Sequence, residues 1–223
     1  MKKNMRIIID IILFIMFILL MGYHITGNAI HEILGVITFI LFIVHHIINL
    51  RWYKMIFKGM YNFYRIVQMI FNTLLFLAMI GIMISSVMIS SNVFSFLNFK
   101  TTMFFRRLHM ISTSWGFVLM AIHLGLHLNI FLTRLNQKMR NNTFEYVYYL
   151  IMILFMIFGV YAFIKTELWK DMFLVNQFKF FDYDQSPYLF YSGEIAITFF
   201  VSLMTYLIIK MLKKIKKEYD TKK

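Results

Sequence analysis

Long apolar runs alternate with short polar and basic stretches along the whole of this chain. Crossing a bilayer as a helix takes about 20 mostly apolar residues. Six runs meet that requirement: residues 6–23, 29–50, 66–89, 108–132, 144–164 and 191–211. The predicted fold class is therefore all-α, a polytopic transmembrane bundle of six helices. No stretch between the runs is long enough to link separate soluble domains, and the one proline, Pro187, stands just before the last run. The first run has the basic start and the small residues Gly27 and Ala29 of a cleavable signal peptide. Asp10 interrupts its start, however, and its apolar stretch is long for a signal core, so it reads as a retained helix.

Composition sharpens this picture. Of 223 residues, 61% are hydrophobic and 15% charged, more apolar surface than a soluble fold of this size can hide but an acceptable amount for a bilayer. The absence of cysteine rules out disulfides, thiolate metal ligands and a cysteine nucleophile within these residues.

The net charge of +13 looks at first like a nucleic-acid signal, but its distribution is topological. With the N-terminus inside, one face collects Lys2, Lys3, Arg6, Arg51, Lys54, Lys58, Arg65, Arg134, Lys138, Arg140 and the seven lysines from Lys210 onward, 17 of the 23 basic residues. The other face keeps Lys100, Arg106, Arg107, Lys165, Lys170 and Lys179. The excess of basic loops marks the cytoplasmic side, so both termini are expected inside. The expected partner of the basic face is membrane lipid, not nucleic acid.

Ionisable side chains are costly inside a membrane and mark function when they occur there. Six of the seven histidines lie on the second and fourth runs; His24 stands apart in a short outer turn. His31 and His45 are 14 residues apart, and so are His109 and His123. Fourteen helical steps come within roughly 40° of whole turns and rise about 21 Å, so each pair lies along one helix face. Both runs go from outside to inside. His31 and His109 then share an outer depth, and His45 and His123 an inner one, with the same sequence offset of 78.

That arrangement suits two haem groups stacked across the membrane, each held between imidazoles of two helices. Gly116 and Thr38 stand midway between the histidines of their helices, and Gly35 lies near the same face; small residues there leave room beside the backbone. The two segments also align as a worn repeat, with Ile33/Ile111, Phe39/Phe117, Leu41/Leu119 and Leu50/Leu128 matched. A lone membrane histidine is commonly an interhelical hydrogen-bonding group; two pairs at one spacing are harder to read that way. His127, one turn beyond His123, is a rival inner ligand, although its counterpart at the same offset is Asn49. His46 points about 100° from His45 and reads as a packing residue.

Several other residues fit around such a centre. Arg51, Arg106 and Arg107 are placed to neutralise haem propionates, or to anchor helix ends at the interface. Trp115, Phe117 and Phe42 are candidates to line the space between the histidines. Asp10 and Glu194 are candidate proton or quinone contacts. The outer segment 165–191, containing FKFFDYD, reads as an interfacial cap or a docking surface.

The segment His31-Glu32…Gly35…His45-His46…Asn49, followed by Arg51-Trp52-Tyr53-Lys54, and the segment Arg107-Leu108-His109…Trp115-Gly116…His123-Leu124-Gly125-Leu126-His127 together resemble the flavinylation-associated cytochrome family, itself similar to membrane b-type cytochromes with stacked haems. The resemblance covers roughly residues 1–133, implying a four-helix di-haem unit there. Residues 134–223 would add a helix pair, an outer loop and a basic cytoplasmic tail. It implies two b-type haems on His31, His45, His109 and His123, electron transport in a bacterial-type cell membrane, and a flavoprotein (FMN-bearing) partner outside, with a quinone as a further possible partner. The sequence has no Gly-rich dinucleotide loop, so it reads as an electron-transfer subunit fed by a separate donor.

Two other classes compete. A metal-ion transporter would use the same histidines with carboxylates or thiolates near them, yet Glu32, at the outer edge, is the one acidic residue on the two histidine helices. A cofactor-free anchor or sensor subunit would use them for hydrogen bonds between helices.

Overall fold

The computed structural model describes residues 2–138 and 142–220, with side-chain surroundings over residues 4–128, 147 and 150–214. The side chains of Arg134, Lys138 and Arg140, and of the lysines beyond Lys214, lie outside the described residues. Those that are described form an all-α fold: α1 (Lys2–Met21), α2 (Tyr23–Ile48), α3 (Leu50–Ile56), α4 (Phe63–Ile89), a 3-10 turn (Ser95–Leu97), α5 (Met103–Lys138), α6 (Asn142–Lys165), α7 (Leu168–Met172) and α8 (Pro187–Asp220).

Five stretches are long and apolar enough to cross a membrane: Asn4–Met21, Tyr23–Ile48, Phe63–Ile89, Met103–Leu128 and Pro187–Lys214. They coincide with five of the six runs read from the sequence. The remaining run falls on α6, where Leu150–Lys165 is a shorter apolar helix among the described residues. Large apolar side chains stay uncovered along these helices, among them Ile7, Ile8, Ile11 and Ile15 on α1 and Ile151, Leu154 and Ile157 on α6. So much continuous apolar surface is stable against lipid and not against water. The chain is built to lie in a membrane, with lipid as its surroundings.

Local chemistry sets the helix ends. The Asn62 side chain accepts the Arg65 backbone N–H at 2.9 Å and caps α4. Pro187 opens α8, a position that needs no N–H donor. Within α2, Gly27 takes φ 71° and ψ 169°, a conformation open to glycine, and breaks the helix just before the apolar run begins. At the other end of α2, Arg6 donates to the Ile48 carbonyl at 3.0 Å and the Asn49 amide to the His45 carbonyl at 2.9 Å. Carbonyls left free at a helix C-terminus are thereby satisfied.

The bundle is centred on α5, which packs against α4 on one side and α8 on the other, with α6 beyond α8. Small residues let these backbones approach, as is usual for membrane helices. A side chain at Gly125 would strike the Ser202 backbone, and one at Gly159 would strike that of Ala196. Ser202 Oγ fills the same seam by donating to the Ala121 carbonyl at 2.7 Å. Phe117, fully buried, stacks on Phe17 of α1 with ring centres 6.4 Å apart and fixes the middle of the core. In contrast, α2 packs chiefly on α1, and its Gly35 looks onto open space.

Gly125→Leu should therefore force α5 and α8 apart, at a cost of about 1–3 kcal/mol typical of overpacking. Gly193→Ala, whose new methyl would meet Ala162 at an ordinary 3.6 Å, should be neutral. Thermal unfolding of the two variants in detergent checks the contrast.

Candidate functional site

The outer histidines meet. His31 of α2 and His109 of α5 face each other with ring centres 6.3 Å apart and ring planes at 73°. His109 is oriented from α4. The Ser85 hydroxyl donates to the Gly81 and Ile82 carbonyls at 2.7 and 2.9 Å, so its lone pair is free to accept. His109 Nδ1–H accordingly donates to Ser85 Oγ at 3.1 Å, with Ser86 Oγ at 3.4 Å. His31 has Tyr23 edge-on at 5.2 Å, and its buried Nδ1 has no hydrogen-bond partner among the described residues.

Two inner histidines are oriented in the same manner. His45 Nδ1 lies 2.8 Å from Asp10 Oδ1 of α1, and His123 Nδ1 lies 2.8 Å from Asn72 Oδ1 of α4. Carboxylate and amide oxygens only accept here, so each Nδ1 carries the proton. In all three tethered rings the remaining nitrogen, Nε2, is then the basic one. That is the tautomer a metal-ligating histidine needs, with the other nitrogen donating to an oriented partner.

His45, His127 and Asp10 lie within electrostatic range of His123, and Asp10 within that of His127. Among the described residues, His45 and His123 are not in ring contact. His127 packs against His123 at 4.9 Å. His46 turns toward α4, where Phe42 and Phe76 hold it at 4.1 and 5.2 Å; the packing role expected of it agrees with those contacts.

Some expected neighbours sit elsewhere. Gly116 does not open a space beside the histidines, because Ile82, Phe17 and Ala78 fill that position at 3.2, 3.5 and 3.8 Å from where a Cβ would stand. Its smallness serves the close approach of α4 and α5. Trp115 turns toward α7 and donates to the Met172 carbonyl at 2.9 Å. Phe117 is core, and Phe42 stacks between His46 and Phe76. Thr38 is buried and donates to the Leu34 carbonyl. Arg51, Arg106 and Arg107 are exposed near the helix ends. Glu194 is buried in α8, one of its oxygens without a partner among the described residues.

His24 is helical, not in a turn: it lies in the first turn of α2. Phe181 stacks on it at 4.9 Å, with Phe190 and Tyr183 edge-on. The aromatic segment thus folds back onto the start of α2, pinned by Lys179 to Asp171 at 3.1 Å.

Among the described residues, no three or more His, Cys, Asp or Glu side chains are grouped so as to hold a metal ion by themselves. No protein family, curated protein or solved structure matches this chain.

Sequence reasoning missed Asn72, Ser85, Ser86 and the role of Glu32. The signal for the first group was present: Asn72 and Ser86 are 14 residues apart, the spacing of His109 and His123 on the antiparallel neighbour. Glu32 accepts five hydrogen bonds at the end of α4, from Ser90 Oγ at 2.6 Å, the backbone of Ser91, Asn92 and Val93 at 2.8–3.0 Å, and the Asn92 amide at 3.3 Å. With Asn28 donating to Ser91 Oγ at 2.7 Å, it ties the outer end of α2 to α4.

Glu32→Ala should release both α2 and the 90–93 turn. The expected loss is about 2–3 kcal/mol, the scale of hydrogen bonds to a charged group. Faster amide exchange across residues 90–94, with exchange in the middle of α8 unchanged, is the measurement that checks it.

Proposed function

We propose that the chain is a membrane b-type cytochrome, in which His31 with His109 and His45 with His123 hold two haems stacked across the bilayer. The observation that carries this reading is the opposed outer pair. Two metal–imidazole bonds of about 2 Å and two ring-centre offsets of about 1 Å add up to about 6 Å, close to the 6.3 Å between His31 and His109. A linear arrangement of two such bonds leaves the dihedral between the rings free, so 73° is compatible with it.

The donor set favours haem over a bare cation. A structural or transported divalent ion usually takes three or four protein donors, and the outer pair offers two. A porphyrin brings four equatorial nitrogens and asks the protein for the axial two. When bound, haem iron supplies reversible one-electron chemistry. The protein's own contribution is fixation: Ser85, Asn72 and Asp10 hold three rings in the ligating tautomer, and the apolar helices keep water away.

The reading extends to topology and partners. Six spans with both termini inside follow from the basic loops, in a bacterial-type cell membrane. The resemblance to the flavinylation-associated cytochrome family supports a flavin-bearing partner on the outer side, and a quinone is a chemically suitable membrane donor.

A reduced-minus-oxidised spectrum of the purified protein, with haem quantified as its pyridine complex, tests the proposal. The expected result is a b-type spectrum with about two haems per chain. His31→Ala and His109→Ala should each remove one haem and spare the other; His45→Ala and His123→Ala should remove the second. His127→Ala should keep both. A chain without haem, from cells able to insert it, overturns the reading, as does full function after all four histidines become glutamine.

A further inference from the structure

The two histidine pairs are backed by groups of different charge. At the inner pair, His45 donates to the Asp10 carboxylate at 2.8 Å, and His123 donates to the neutral Asn72 amide. At the outer pair, His109 donates to the neutral Ser85 hydroxyl, and the His31 Nδ1 has no partner among the described residues. One pair therefore carries a full negative charge on its hydrogen-bonding partners, and the other carries none.

Among the described residues, no other charged group is hydrogen-bonded to one of these four rings. Glu32 follows His31, but its carboxylate, still charged, is turned to the end of α4 and held there by five neutral donors. Arg106 and Arg107 stand one turn or less before His109 and add positive charge to the outer end. At the inner end Arg6, one turn before Asp10, keeps its positive charge and donates to the Ile48 carbonyl. Arg51 is exposed beyond the end of α2.

Reduction of a ferric haem adds one electron and removes one unit of positive charge, so a fixed anion opposes it and a cation favours it. A carboxylate partner also makes the imidazole a stronger donor, which stabilises the ferric state further. Resting on the cytochrome reading above, we infer that Asp10 is a positioning and tuning residue that holds the inner haem site at a lower reduction potential than the outer one. That order is the one an outward-directed electron path requires.

Potentiometric titration of the full haem-loaded chain in detergent tests this. Two midpoints are expected. His109→Ala should leave the lower one, and His123→Ala the upper. Asp10→Asn, which keeps a hydrogen-bond acceptor and removes the charge, should raise the lower midpoint by about 59 mV, a tenfold change in a one-electron equilibrium, and leave the upper unmoved. Asp10→Glu should leave both in place. If His109→Ala retains the upper midpoint, the order is reversed and the inference falls, whether or not the Asp10 variants assemble. Two coincident midpoints, or an Asp10→Asn protein whose lower midpoint stays where it was, overturn it while the cytochrome reading stands. A protein without haem overturns both.

Discussion

A histidine inside a membrane has two ring nitrogens and no water to satisfy either. Each unsatisfied polar group in that setting costs several kcal/mol, so the surroundings of every ring are constrained before any function is considered. The helices beside α2 and α5 answer for one nitrogen per ring at three positions, through Asp10, Asn72 and Ser85, always at Nδ1. A hydrogen-bonding histidine that merely glued helices together would be served as well at either nitrogen. The uniform choice leaves the three Nε2 atoms as the bases, the arrangement that the proposed haem ligation needs.

The scaffold combines a close-packed region with a tethered one. Glycine and serine seams draw α5, α8 and α6 together, and α4 meets α5 through Gly81 against Ser112 and Gly116 against Ile82. The histidines of α5 therefore ride on rigid elements. Helix α2 is placed differently, by polar contacts at its ends: Glu32 and Asn28 at one, Asp10 and Arg6 at the other. A helix held at both ends and lightly packed in its middle can present two side chains at defined depths while leaving space beside it. Gly35, with nothing near the position of a Cβ, lies along that open stretch.

The sequence was informative where one helix alone decides the outcome. The apolar runs foretold where the six long helices lie, although α2 begins six residues before its run and α8 continues nine beyond its own, and a spacing of 14 is enough to place His31 with His45, or His109 with His123, on one face. The shared depth of His31 and His109 was legible too, since it needs only that the two helices run the same way. Rotation about a helix axis relative to a particular neighbour is another matter. Gly116 was expected beside the histidines and instead faces Ile82 and Phe17; Trp115 was expected there and instead faces Met172. Their angular positions on α5 were readable, but which neighbour occupies each angle depends on packing between helices. Asp10 was noticed for its rarity inside an apolar run, and its partner His45 emerged only from the antiparallel register of α1 and α2.

The inner end illustrates why spacing arguments weaken as candidates multiply. His45, His46, His123 and His127 crowd one end of the bundle, and helical periodicity alone admits more than one pairing. Their contacts distinguish His45 and His123 from His46. His46 is turned into an aromatic cage against Phe76, so its ring is engaged by packing. His45 and His123 each have Nδ1 tied at 2.8 Å to an acceptor on another helix. An acceptor from a second helix fixes both tautomer and ring rotation, and ordering a ring in that way costs side-chain entropy that some other interaction must offset. Coordination at Nε2 would offset it, and the proposed haem ligation therefore rests on His45 and His123.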